Sequence, residues 1–138
     1  MDDERDVGVR VTARIAWVDT DASGHHHNSV ILRLVEGAEA ELIRELGLDG
    51  YWPAAPRVRQ EVDYESPLWF DQEVTTSLWV ERLGRSSLSY RFEVWGEGPA
   101  RLRAAAGRVI VAHVPGRGAG ARPWPPAWAA KLLPPRGE

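Results

Sequence analysis

The chain has 138 residues, a net charge of −3 at pH 7, an apolar fraction of 43% and a charged fraction of 27%. These values describe one ordinary globular domain over 1–138, long enough to bury a core. The absence of cysteine excludes disulfides, thiolate metal sites and cysteine nucleophiles.

The acidic balance argues against nucleic acid as a partner, and no apolar run approaches the roughly 20 residues that span a bilayer. The start, Met1-Asp2-Asp3-Glu4-Arg5-Asp6, lacks the basic and apolar regions of a signal peptide, so the expected location is cytoplasmic. Residues 1–7 are expected to be mobile. Val9, Val11, Ala13, Ile15 and Trp17 then alternate with Arg10, Thr12, Arg14 and Ala16, the period of a half-buried strand.

A dense polar junction follows: Trp17-Val18-Asp19-Thr20-Asp21-Ala22-Ser23-Gly24-His25-His26-His27-Asn28. Beyond it, Ile31, Leu34, Val35, Ala38, Leu42 and Leu46 fall at steps of three and four, which predicts a helix over 29–46. Asn28 or Ser29 suits its start, and Gly47 suits the left-handed position past its end. Free N–H groups at that start would face Asp21, and a carboxylate beside an anion-stabilising helix end suits acyl transfer.

Residues 47–57 read as a loop. Four strands are then predicted, over 58–65, 73–82, 87–95 and 101–113, with a hairpin turn at Gly84-Arg85. In the last strand the alternation shifts after Gly107, so a bulge is expected there. Residues 115–126, rich in Gly and Pro, read as a loop, and 128–133 as a short terminal helix. One helix cannot cover both faces of a five-stranded sheet, so an edge or face is expected to pair with a second copy.

The residues Asp19-Thr20-Asp21-Ala22-Ser23-Gly24-His25, then Asn28 and Glu36, resemble the acyl-CoA thioesterases of the hotdog fold, in the branch typified by 4-hydroxybenzoyl-CoA thioesterase. The stretch from Val62 through Tyr64 to Pro67, the acidic turn at Asp71 and Gly84-Arg85-Ser86-Ser87 match as well, so the resemblance spans roughly residues 8–113. It implies an α+β fold, a five-stranded antiparallel sheet wrapped around one long helix, with active sites at a subunit interface. It also implies an acyl-CoA or acyl-carrier-protein substrate, no cofactor, and a homodimer or homotetramer.

By that resemblance the catalytic carboxylate is Asp21, acting as nucleophile or general base. The carbonyl oxygen is held by a backbone N–H at the helix start, at about Asn28. His25 shapes the junction or polarises substrate, and Glu36 orients water or a partner's loop, unless it is a solvated helix residue.

Gly24 supplies a positive φ or a close approach to substrate. His26 and Tyr64 belong to the pocket or else to loop and core. Arg57, Arg59, Arg85 and Arg91 are candidates for the CoA phosphates, with Arg85 named for substrate binding, and Asp19 is structural. Adjacent histidines rarely converge on one ion, so no metal site is expected.

Two alternative readings keep the fold. Hotdog hydratases place a histidine five residues after an aspartate, as Asp21 and His26 are placed, although their intervening Asn-Pro is absent here. A non-catalytic acyl-binding module is the other.

Overall fold

The computed structural model describes residues 7–133, and the expected mobile start falls mostly on residues 1–6, outside the described residues. Val7 departs from that expectation. It is buried, and its carbonyl accepts the Val80 N–H at 2.8 Å. Alternating residues then form β1 (Gly8–Arg14), and a short 3₁₀ turn spans Trp17–Asp19.

The long amphipathic stretch forms α1 (Ser29–Leu46), with the bounds its spacing predicts. Gly47 ends it at φ 68°, donating its N–H to the Ile43 and Arg44 carbonyls, a conformation glycine adopts without steric cost. The expected loop that follows contains one helical turn, α2 (Tyr51–Ala54), too short for any period to reveal.

The remaining elements are β2 (Arg57–Tyr64), β3 (Glu73–Leu83), β4 (Ser87–Gly96), β5 (Leu102–Ala112) and α3 (Pro126–Leu132). The five strands form one sheet in the order β1-β3-β4-β5-β2, with every neighbouring pair antiparallel. This is the hotdog arrangement of a sheet and one long helix. Among the described residues no helix is long and apolar enough to cross a membrane.

Leu78, Leu88, Tyr90, Phe92, Val94, Val109 and Val111 on the inner sheet face share one core with Val30, Ile31, Val35, Ala38, Leu42 and Ile43 of α1. Fully burying each Val, Leu, Ile or Phe stabilises by about 1.5–3 kcal/mol, so this seam fixes where α1 lies. The buried stripe is rotated from the expected one. Ile43 and Glu39 are buried, while Leu34 and Leu46 are only half-buried.

Ion pairs run across the outer sheet face. Arg108 bonds Glu81 at 2.9 Å and lies 3.6 Å from Glu61, and Arg103 bonds Glu65 at 2.9 Å and Glu93 at 3.3 Å. The strand edges at β1 and β2 remain open.

The bulge expected at Gly107 lies elsewhere. Gly107 pairs regularly with Phe92 and Val62, and the register shifts where Val94 faces Ala105 and Trp95 faces Arg103, leaving Ala104 as the extra residue. Ala104 and Ala105 are both fully buried, as two small consecutive residues permit. Gly107 is there for space: a Cβ would lie 1.9 Å from the Glu61 carbonyl oxygen and 2.8 Å from the Phe92 ring.

Glu39 is buried beneath α1, with Oε1 accepting from Arg57 at 2.6 Å and Oε2 from the Tyr51 hydroxyl at 2.5 Å. The Tyr51 and Tyr90 hydroxyls lie 2.7 Å apart. Since Tyr51 donates to Glu39, Tyr90 donates to Tyr51. Burial, with the charge of Glu39 nearby, pushes both phenols well above their ordinary range and keeps them donors. The network ties α1, α2, β2 and β4 together.

Glu39→Ala leaves the Arg57 guanidinium and the Tyr51 hydroxyl without their carboxylate partner. We expect it to destabilise the fold by about 3–5 kcal/mol in urea denaturation.

Candidate active site

The chain enters the polar junction side by side with the loop before β3. Ile15 N–H donates to the Gln72 carbonyl at 3.0 Å, and Asp71 N–H to the Ile15 carbonyl at 2.7 Å. Asp19 is buried, accepts the Ala16 N–H at 2.8 Å and pairs with Arg33 of α1. Its role is to hold the 3₁₀ turn against the helix.

Asp21 opens a tight turn closed by Gly24 N–H to the Asp21 carbonyl at 2.9 Å, with Gly24 at φ 93°. The expected positive φ at Gly24 is present. The Asp21 carboxylate is exposed, with Oδ1 accepting the Ser23 N–H at 2.8 Å and the Ser23 hydroxyl. Asp21 therefore makes an Asx turn. Those Ser23 bonds, the hydroxyl foremost, hold its carboxyl below the usual carboxylate range.

The three histidines have three different surroundings. His25 is half-buried, with Nδ1 donating to the His26 carbonyl at 3.1 Å and its ring edge-on to Trp69, centroids 5.8 Å apart. His26 is buried. Its N–H donates to the Leu68 carbonyl at 2.8 Å, and its Nδ1 accepts the Leu68 N–H at 3.0 Å. A backbone donor at Nδ1 places the neutral ring's proton on Nε2.

His27 is exposed and takes the helix-capping role expected of Asn28 or Ser29. Its Nδ1 accepts the Ser29 N–H at 3.2 Å and lies 2.9 Å from the Ser29 hydroxyl. Asn28 has helical dihedrals and makes no side-chain cap; its carbonyl accepts the Tyr64 hydroxyl at 3.1 Å. Among the described residues, no acceptor takes the Asn28 N–H.

Asp21, His25, His26, Asn28 and Tyr64 line one cavity of about 430 Å³, completed by Glu65, Ser66 and Pro67. The last three come from the stretch after β2, a piece of chain that the sequence resemblance flagged without assigning it roles. Gly24 sits in the turn beside the cavity.

Two expected site residues lie elsewhere. Glu36 is exposed two turns along α1, about 12 Å beyond Asn28, and borders a separate groove with Arg33 and Trp52. Arg85 sits in the β3–β4 turn, and β3 spans about 33 Å between that turn and the end near the cavity. Helix pitch and strand length set both separations within one subunit. Arg57, Arg59 and Arg91 are paired with Glu39, Glu61 and Glu81. Among the described residues no cluster of three His, Asp or Glu is placed to hold a metal ion.

The family model described as "Thioesterase superfamily" matches residues 23–102, more than half of the chain. The chain belongs to the thioesterase superfamily. As a member of it, the protein is a thioester hydrolase by class. No match was found among curated protein sequences.

Among solved structures, a thioesterase from Thermus thermophilus complexed with coenzyme A and Zn is 28% identical, with TM-score 0.79, covering 89% of this chain and 90% of that one. A predicted thioesterase from Bacillus stearothermophilus is 24% identical, with TM-score 0.81, covering 91% and 93%. The 4-hydroxybenzoyl CoA thioesterase from Pseudomonas sp. strain CBS-3 shares the fold at 16% identity, with TM-score 0.82, covering 90% and 98%.

Two titrations check the electrostatics of this thioesterase-superfamily site. Carbon-13 NMR of the Asp21 carboxyl should give a midpoint below 3.8, and Ser23→Ala should raise it. Burial, reinforced by His25, pushes the His26 imidazole below 6.5, against the opposing Leu68 backbone bond and the charge of Asp21. The unfolded chain then takes up a proton that the folded chain refuses. The stability involved is complete above about pH 6.5 and is lost as pH falls below it. We expect thermal melts of wild type to lose more stability between pH 7 and pH 5 than melts of His26→Asn.

Proposed function

We propose that the protein hydrolyses acyl-CoA thioesters in the cavity lined by Asp21 and Asn28, with Asp21 as the attacking carboxylate. The observation that carries this reading is the pairing of an ionised, exposed carboxylate with an N–H at the start of α1 that has no acceptor among the described residues. The coenzyme A held by the Thermus thermophilus thioesterase supports CoA as the thiol portion.

In this reading Asp21 attacks the carbonyl carbon, and negative charge develops on the carbonyl oxygen. The Asn28 N–H stabilises that charge without reorganising. The C–S bond breaks, the thiolate leaves and is protonated, and a mixed anhydride remains on Asp21. Water then hydrolyses the anhydride, giving the free acid and restoring the carboxylate. A carboxyl held below its ordinary range is ionised near neutral pH, the form that either direct attack or general-base activation of water requires.

Release of free thiol from a panel of aromatic and aliphatic acyl-CoAs tests the reading. Asp21→Asn should abolish it while leaving the melting temperature unchanged, since the side chain is exposed. Full activity in that variant would remove Asp21 from the mechanism. A single turnover in ¹⁸O-water separates the two routes. Label in Asp21 identifies direct attack followed by water addition at the Asp21 carbonyl, whereas base catalysis puts label in the product acid alone and lets hydroxylamine trap no anhydride on Asp21.

We also propose a homodimer. The open β2 edge, with Val58 and Tyr64 exposed, supports it. Sedimentation should give twice the chain mass.

A further inference from the structure

We propose that His26 is a catalytic residue whose Nε2–H donates a hydrogen bond to the thioester carbonyl oxygen, as a second donor beside the Asn28 N–H. This inference rests on the Asp21 site proposed above and deepens it.

Three observations meet at this ring. His26 is 7% exposed and is one of the residues that line the Asp21 cavity. Its Nδ1 is occupied by the Leu68 N–H, and its own backbone N–H bonds the Leu68 carbonyl, so neither the ring nor its backbone is free to turn. Nε2 is then the ring's remaining polar atom, and it carries the proton. Among the described residues no acceptor takes that proton, although the Asp21 and Glu65 carboxylates line the same cavity.

A buried donor left without a partner is costly, and an aliphatic side chain of similar size would fill the wall without that cost. A substrate entering the cavity can supply that acceptor. At the reacting centre of a thioester, the carbonyl oxygen is the strong acceptor and the sulfur a weak one. Its demand for donors grows as the tetrahedral intermediate forms, and a neutral imidazole is a known electrophile of this kind. Burial favours that neutral form.

Two isosteric variants separate the structural bond from the catalytic one. In His26→Asn the amide oxygen falls near the Nδ1 position and keeps the Leu68 N–H partnered, while nothing replaces Nε2. In His26→Gln the amide nitrogen falls near Nε2 and the Leu68 N–H loses its partner. With the acyl-CoA panel at pH 7.5, His26→Asn should melt close to wild type. Its kcat should fall about 100- to 1,000-fold, with KM changed about twofold or less. His26→Gln should melt lower yet retain more kcat per folded molecule, measured below its own melting transition.

Wild-type kcat in folded His26→Asn overturns the inference, as does loss of kcat in both variants that follows only the folded fraction. The same panel with Asp21→Asn keeps the two readings apart. An inactive Asp21→Asn beside a fully active His26→Asn removes His26 alone, whereas an active Asp21→Asn removes the site itself.

Discussion

The reciprocal pairing of His26 with Leu68 holds the functional end of this molecule together. One residue supplies a backbone donor and a ring acceptor, and the other supplies a backbone acceptor and donor. A twelve-residue polar segment between a strand and a helix has many backbone groups to satisfy and few apolar side chains to anchor it. This pairing, extended by the bridge between His25 and Trp69, splices the segment onto the loop before β3. It places Asp21, the start of α1 and the Glu65–Pro67 stretch around one cavity.

Beneath the same helix, Glu39 solves a different problem. A carboxylate buried to 1% exposure is tolerable only when its oxygens are paired, and Arg57 and Tyr51 pair both of them. The outer sheet face uses the same residue types in solvent, where ion pairs are worth roughly 0–1 kcal/mol each and serve mainly to keep that face polar. Charge thus acts at two scales here: a few buried partners fix α1 against β2 and β4, and exposed ones run across the outer sheet face.

Consecutive histidines suggest a common purpose, yet their environments divide them. Alternation along an extended segment turns His26 into the protein while His25 is half-buried and His27 exposed. His27 then meets the first turn of α1 and caps it, and His25 leans on Trp69. Identical side chains acquire a cap, a brace and a buried cavity wall from position alone.

The sequence by itself determined the five strands, the long helix, the terminal helix and their order. The bounds of α1, the glycine that ends it and the four later strands all follow from periodicity and turn chemistry, which are local. The junction's pattern also pointed to Asp21, Gly24, His25 and Asn28 together. What only the tertiary structure decided depends on contacts between distant segments. The burial of Glu39 required Arg57 and Tyr51 to arrive from elsewhere. The bulge lies at Ala104, and Gly107 is instead required because the Glu61 carbonyl and the Phe92 ring, brought from β2 and β4, leave no room for a Cβ. The separation of Glu36 and Arg85 from the cavity is a matter of helix pitch and strand length, and the orientation of His26 depends on Leu68, forty-two residues away. Spacing along a chain records which face a side chain takes within its own element, and carries no record of which backbone group will meet it there.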